Sequence, residues 1–348
     1  MKVAILGATG MVGQYLVSLL QGHPWFETEV LAASDRSAGK KYREAAHWIH
    51  PSQMPSGIGE MEVANSDVKS VEELGSPDII FSCLPSDIAG GVEEEFASAG
   101  YPVFSKAANH RLEEDVPLII PEVNPSHATL VDFQKEKRGW QGFITTDPNC
   151  STTQLVLSLF PLVQFDLSKV MVTTMQALSG AGYPGVPSLD ANANVIPFIS
   201  KEEEKLESET LKLLGEFDGE KIIPAELKLS ATCTRVPVQH GHLESVTVSL
   251  EAKPSLEEVK EAWASFEGEP LKLGLPSAVK PIRYREENDR PQPRLDCDEG
   301  NGMTIVLGRL RMDPILDYKY LCLGHNVVRG AAGEGILQAE LFKAKGLI

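Results

Sequence analysis

Glycines at positions 7, 10 and 13 fall between an apolar run, Val3 to Leu6, and a stretch of helical periodicity, Met11 to Gln21, that leads to a second strand, Glu29 to Ser34. Strand, glycine turn, helix and strand make a βαβ unit, and that unit commits the start of the chain to a parallel sheet. In Gly7-Ala8-Thr9-Gly10-Met11-Val12-Gly13 the missing side chains let backbone N–H groups at a helix N-terminus approach a pyrophosphate. Gly7, Thr9, Gly10, Met11, Val12 and Gly13 are therefore expected to hold a dinucleotide cofactor. At the end of the second strand an NAD-specific site presents an acid to the ribose diol. Ser34-Asp35-Arg36-Ser37 has one acid, but Ser34, Arg36 and Ser37 offer two hydroxyls and a guanidinium suited to the 2′-phosphate of NADP.

Strands are expected again near Pro77 to Cys83, Pro102 to Ser105 and Pro117 to Ile120, alternating with helical stretches as in a sheet covered on both faces. From about residue 150 the pattern changes. A helix from Ser151 to about Val163 precedes longer alternating strands at Lys169 to Ala177, Ala231 to Val238, Leu243 to Glu251 and Met303 to Leu310, with an acidic helix, Lys201 to Gly215, among them. The fold class is thus α/β: an N-terminal Rossmann-type doubly wound sheet plus an α+β catalytic and dimerisation domain with a mixed sheet. A chain of 348 residues suits two domains. They are expected at 1–149, an NADP-binding domain completed by a C-terminal helix over 327–348, and at 150–326, for catalysis and oligomerisation.

The net charge of −17 excludes nucleic acid as a partner, so an anionic substrate must be held by a few placed cations. Cys83, Cys150, Cys233, Cys297 and Cys322 are odd in number and lack C-x-x-C spacing, which predicts reduced thiols and no metal site. With no apolar stretch near the ~20 residues that span a bilayer, no membrane partner is expected and the location is read as cytoplasmic.

One thiol stands apart. In Asp147-Pro148-Asn149-Cys150-Ser151-Thr152-Thr153, Pro148 ends a strand and Ser151 or Thr152 opens a helix, so Cys150 lies at the positive end of a helix dipole, where a lowered thiol pKa is expected. A nucleophilic cysteine needs a proton-transfer partner, and Arg235-Val236-Pro237-Val238-Gln239-His240-Gly241-His242 offers one at His240 or His242; spacing does not choose between them. Arg235, on the same strand, suits a substrate carboxylate.

Taken together, GATGMVG, SDRSAGK, PNCSTT, MQALSGAGYPG, EEEK, TRVPVQHGH and HNVVRGAAG resemble the aspartate-β-semialdehyde dehydrogenase family, in its archaeal and fungal branch, over essentially the whole chain. The resemblance implies reductive dephosphorylation of L-aspartyl-4-phosphate by NADPH on the shared route to lysine, methionine and threonine. It implies Cys150 as nucleophile, His242 as general acid and base with His240 a bystander, and Gln176 orienting the acyl intermediate. It further implies Arg235 at the substrate α-carboxylate, Glu202 at the amino group, and Lys205, Asn149 and Arg111 at the phosphate. Asn326 and the turn of Ser179, Gly180 and Gly182 would contact the nicotinamide end of the cofactor. A homodimer or homotetramer is expected, with no metal. Ser200 to Glu203 also reads as a capping box, which leaves Glu202 and Lys205 a purely structural alternative.

Three other readings remain at this point. A malonyl-CoA or succinyl-CoA reductase uses the same thioester chemistry but needs neither Asn149 nor the Glu202 and Lys205 pair. An N-acetylglutamyl phosphate reductase has no free amine for Glu202. A non-enzymatic NADP-binding module leaves Gln176, Arg235 and His242 unexplained as a set.

Overall fold

The structure, a computed structural model, describes residues 1–348. Six strands form the first sheet: β1 (Lys2–Leu6), β2 (Glu27–Ala33), β3 (Val63–Asn65), β4 (Ile79–Ser82), β5 (Pro102–Ser105) and β6 (Phe143–Thr146), in the order β3-β2-β1-β4-β5-β6. Every pairing is parallel. Side chains alternate along β1, so Val3 and Ile5 enter one core while Ala4 and Leu6 enter another. The first core holds Leu16 of helix α1 (Met11–Leu19), and the second holds Phe96 of α2 (Ser86–Ser98). Val131 of α3 (Leu130–Arg138) joins the first, as do Leu337 and Phe342 of the last helix, Gly333–Ala344. The C-terminal segment thus packs against the first strands of the chain.

The strand order reverses between β1 and β4, which opens a crevice at their C-terminal ends. Gly7 turns there at φ +74°, and a Cβ on it would lie 2.6 Å from the Cys83 carbonyl oxygen. Gly13 has no more room: its Cβ would meet the Gly7 carbonyl oxygen at 2.5 Å.

Helix α4 (Cys150–Leu159) leads into the second sheet. Its strands are β7 (Leu167–Gln176), β10 (Lys228–Arg235), β11 (His242–Leu250), β12 (Ile282–Arg285), β13 (Ile305–Met312) and β14 (Tyr318–Gly324); β8 (Glu216–Phe217) and β9 (Ile222–Ile223) form a separate hairpin. The order β10-β7-β11-β14-β13-β12 mixes parallel and antiparallel neighbours. One face buries Val172, Val246 and Tyr320 with Leu155 of α4 and Trp263 of α6 (Leu256–Ser265), while the acidic helix α5 (Glu202–Leu213) adds Leu206. On the other face of β7, Lys169, Met171 and Thr173 are exposed.

The structure departs from the sequence reading in several places. No strand forms at Pro117 to Ile120; a single bridge joins Leu118 to Thr146. Ile119 N–H and the Pro117 carbonyl bond Thr146, while the Asn124 side chain accepts from Ile120 N–H at 2.9 Å and donates to the Leu118 carbonyl at 2.8 Å, which closes a turn there. Strand β10 ends at Arg235 because Pro237 can donate no ladder hydrogen bond. Strands β3, β8, β9, β12 and β14 went unread. The Ser200 to Glu203 capping box does not form: left-handed Lys201 (φ 59°) starts α5, and Glu203 accepts from Cys233 N–H at 2.9 Å.

Arg329 is a fully buried cation. Its Nη1 and Nη2 donate to the two Glu122 oxygens at 2.7 and 2.6 Å, and Nη2 lies 3.1 Å from Glu334. Removing one member of such a group strands a buried charge. Arg329→Met is expected to lower stability by about 3–5 kcal/mol, and Arg329→Lys, lacking the planar fork, to restore little of it. Denaturant unfolding of both variants checks this.

Candidate active site

Both sheets end at the same place. Strands β7 and β10 run in parallel register, so their last residues, Gln176 and Arg235, are direct neighbours, and antiparallel β11 begins beside them with His242. The N-terminus of α4 faces this edge and presents Cys150 as its first residue. Cys150 Sγ lies 3.2 Å from His242 Nε2. Of the two candidate histidines it is His242 that reaches the thiol, while His240 Nδ1 is 3.0 Å from Ser179 Oγ.

His242 is completely buried, and its Nδ1 accepts from Ala177 N–H at 2.9 Å. An imidazole that accepts at Nδ1 carries its proton on Nε2, so the ring presents a donor to the sulfur. Burial, then Arg235, pushes the His242 pKa well below its ordinary value. The thiol differs from expectation. Burial raises its pKa to about 12, Glu202 adds to the rise, and Arg235 and Arg111 pull in the other direction. Withdrawal from water outweighs the helix terminus that suggested a depressed value, because desolvation penalises the thiolate directly.

Around the pair lies a connected set of polar groups. Asn149 caps α4, its Oδ1 accepting from Ser151 N–H at 2.9 Å and Thr152 N–H at 3.3 Å. Its Nδ2 and the Gln176 Nε2 both donate to Glu202 Oε1 at 2.9 Å, and Lys205 Nζ lies 3.6 Å from Glu202 Oε2. Arg235 Nη1 donates to the Ala177 carbonyl at 2.8 Å. Arg111 donates to Glu209 Oε1 at 3.0 Å and to the Lys106 carbonyl at 2.8 Å, while its buried Nε has no partner. Gln176, Arg235, Glu202, Lys205, Asn149 and Arg111 thus converge on Cys150.

Glu209 and Lys212 were missed. Glu209 Oε2 accepts from Asn149 N–H at 2.6 Å, and Lys212 Nζ donates to the carbonyls of Arg111, Glu113 and Val116 at 2.7–2.8 Å. Burial pushes the Lys212 pKa down to about 8. Glu202, Lys205, Glu209 and Lys212 recur every three or four residues, the spacing of one helix face, and that stripe was readable in the sequence.

The glycine turn lies across the crevice. Gly10 caps α1 without a side chain, so nothing of the protein's own occupies the first-turn amides of Met11 and Val12, which fits an anionic cofactor group. Met11, Tyr15, Ser179, Gly182 and His240 line a cleft of about 400 Å³. Asn326 belongs to the same wall: its Nδ2 donates to Ser179 Oγ at 2.8 Å and its Oδ1 accepts from Gly241 N–H at 3.0 Å. Gly180 faces the thiol side, where a Cβ would come 2.6 Å from Arg235 Nη1 and 2.9 Å from His242 Cε1. Ser34 and Arg36 are exposed and Ser37 half-buried on the turn after β2, which Ala8 joins to the glycine turn by donating to the Ala32 carbonyl at 3.0 Å.

Cys297, Asp298 and His325 form the one cluster with metal-ligand types. His325 Nδ1 accepts from Val327 and Val328 N–H at 3.3 and 3.2 Å, so its proton sits on Nε2, the nitrogen facing Asp298. The cluster therefore offers a metal no imidazole lone pair.

Comparison with known proteins gives the family. Residues 2–131 match the family model "Semialdehyde dehydrogenase, NAD binding domain" and residues 159–329 match "Semialdehyde dehydrogenase, dimerisation domain". An aspartate-semialdehyde dehydrogenase of Archaeoglobus fulgidus is 54% identical over 347 residues, 100% of this chain and 99% of that protein. The chain belongs to the aspartate-semialdehyde dehydrogenase family. The crystal structure of the Candida albicans aspartate semialdehyde dehydrogenase with NADP superposes with a TM-score of 0.91 at 42% identity, covering 100% of this chain and 99% of that one. A malonyl CoA reductase (NADP) of Metallosphaera sedula is also 42% identical, over 100% of this chain and 98% of its own length. No helix is long and apolar enough to cross a membrane.

A thiol raised by burial is mostly protonated at neutral pH. Iodoacetamide alkylation of Cys150 in the ligand-free protein is therefore expected to keep accelerating beyond pH 9, as mass spectrometry of the labelled peptide would show. A plateau below pH 8 would instead reveal a preformed thiolate.

Proposed function

We propose that the chain catalyses NADPH-dependent reductive dephosphorylation of L-aspartyl-4-phosphate to aspartate semialdehyde and phosphate through a thioester on Cys150. The observation that carries this reading is the 3.2 Å contact of Cys150 with His242 at a sheet edge that also gathers Gln176, Arg235 and Glu202. Arg235 takes the α-carboxylate and Glu202 the amino group. Lys205, the Asn149 side chain and the unpartnered Arg111 Nε take the phosphate. The glycine turn with Ser34, Arg36 and Ser37 holds NADP, and Ser179, Gly182 and Asn326 lie at its nicotinamide end.

Attack of the Cys150 sulfur on the acyl carbon forms the C–S bond and breaks the C–O bond to phosphate, which leaves with the thiol proton as hydrogen phosphate. With Nε2 already protonated, His242 serves this step as a donor and not as the base. Asn149 N–H is occupied by Glu209, and Ser151 and Thr152 N–H by the Asn149 side chain. Cys150 N–H is left to share the acyl oxygen with His242 Nε2–H. NADPH, when bound, supplies the hydride for the thioester carbon. The resulting alkoxide on Cys150 collapses by breaking its C–S bond, and His242 Nε2–H receives the departing thiolate before solvent reprotonates it. Gln176, fixed on Glu202, orients the acyl group.

Residues 1–149 with 327–348 form the NADP-binding unit of this reading, and 150–326 the catalytic and oligomerisation unit. The exposed face of β7, with Met171 and Thr173, supports a homodimer formed by pairing of the second sheets, alone or as half of a homotetramer. The cytoplasm is the compartment that suits its reduced thiols.

Purified protein is expected to reduce NADP with aspartate semialdehyde only when inorganic phosphate is present, as nicotinamide absorbance would register. Turnover of malonyl-CoA with NADPH in place of that reaction would transfer the same thioester chemistry to a coenzyme A substrate. Cys150→Ala is expected to remove activity, and Arg235→Met to raise the KM for the semialdehyde at least about tenfold with the KM for NADP little changed.

A further inference from the structure

Helix α5 meets the thiol with its first residue and then continues past it for three turns. Below Glu202 and Lys205, the same face carries two buried charges whose hydrogen bonds all go to other groups of the protein. Glu209 is 1% exposed and spends both oxygens: one on Arg111 Nη1 at 3.0 Å, the other on the Asn149 amide at 2.6 Å. One turn further, Lys212 is 8% exposed and spends its ammonium on three carbonyls of the loop that carries Arg111. A carboxylate and an ammonium are rarely buried so deeply unless paired or fully hydrogen-bonded.

The geometry points to Glu209 and Lys212 as positioning residues for the phosphate step, resting on the proposed reading of the site. Glu209 links the Arg111 guanidinium to the residue preceding the nucleophile. It therefore sets the distance between the group that would hold the leaving phosphate and the sulfur that displaces it. Lys212 fixes the backbone of the same loop from the other side. Asp115 and Glu113 in that loop are themselves paired with Arg138, so the loop is pinned from two directions and its arginine has little freedom. A misplacement of about 1 Å in such a constellation is enough to cost orders of magnitude in rate.

The charge of Glu209 and its reach make opposite predictions, which allows a clean test. Glu209→Asp keeps the charge and withdraws it by one methylene. Glu209→Gln keeps the length and removes the charge, relieving repulsion of a bound phosphate. If position is what matters, Glu209→Asp raises the KM for phosphate in semialdehyde oxidation at least about tenfold, with the KM for NADP unchanged within about twofold. Lys212→Met is expected to do the same, and Lys212→Arg to do it less. Calorimetric titration with inorganic phosphate gives the same comparison without turnover, and circular dichroism establishes that each variant is folded.

An unchanged phosphate KM in Glu209→Asp together with a lowered one in Glu209→Gln would make Glu209 an electrostatic brake and overturn the proposal. Parallel loss of all kinetic constants through partial unfolding would reduce both residues to structural ones, which also overturns it. An unsubstituted protein that binds phosphate without reducing NADP would sink the reading of function while calorimetry still decided the positioning role; one that binds no phosphate would sink both.

Discussion

The removal of Cys150 and His242 from water is the constraint on which the rest of the site depends. With His242 buried and Cys150 half-buried beside it, neither group carries its charge readily: the thiol is held up and the imidazole held down. An exposed thiolate–imidazolium pair would be reactive toward any electrophile and open to oxidation. On the proposed reading, a neutral pair waits for a substrate whose leaving group can take the thiol proton. The backbone enforces this state, because Ala177 N–H points at His242 Nδ1 and a second proton on the ring would have to displace it. Ala177 is fixed in turn, following Gln176 at the end of β7, with its carbonyl receiving Arg235.

A desolvated pair is useful only if its neighbours supply the missing charge in the right places. The chain is strongly acidic overall, yet Arg111, Lys205 and Arg235 all come to this edge. Two of them are already tethered, Arg111 to Glu209 and Arg235 to a carbonyl, so little side-chain entropy remains to be lost when substrate binds. Glu202 performs several tasks at once. It aligns Asn149 and Gln176, sits near Lys205, and raises the thiol pKa.

The parts of this arrangement that lie close in sequence were legible in the sequence. A glycine turn between strand and helix fixes the parallel sheet and the cofactor crevice through local geometry, and Asn149-Cys150 before a helical run places the thiol at a helix start. The pairing of Cys150 with His242 needed either a family resemblance or the fold, because residues 92 positions apart meet only when β11 lies antiparallel to β7. The thiol pKa was misread for the same reason: a helix terminus is visible in sequence, whereas burial belongs to the assembled structure. Strand β14 alternates buried and half-buried residues at its start but ends in three buried ones, which blurs the period that would have announced it. The strand expected at Pro117 to Ile120 is cut to a single bridge with Thr146, as the Asn124 side chain turns the chain back on Leu118 and Ile120.

The two halves of the molecule are joined at the nucleophile itself. A Cβ on Gly330 would lie 2.5 Å from Cys150 Cβ, so the segment that follows Asn326 packs directly behind the thiol before helix Gly333–Ala344 enters the core of the first sheet. In that same segment Arg329 is clamped to Glu122, and further on Gly335 leaves room for the Lys106 ammonium, which pairs with Asp147 three residues before the thiol. The contacts that cross to the thiol side are those of α5: Glu209 holds Arg111, and Lys212 donates to the carbonyls of Arg111, Glu113 and Val116. Relative motion of the two sheets would have to break the buried Arg111–Glu209 pair and the Lys212 hydrogen bonds, which favours a rigid junction. On the proposed reading, hydride transfer benefits from such a junction, because it places the acceptor carbon on Cys150 against the cleft lined by Met11 and Ser179.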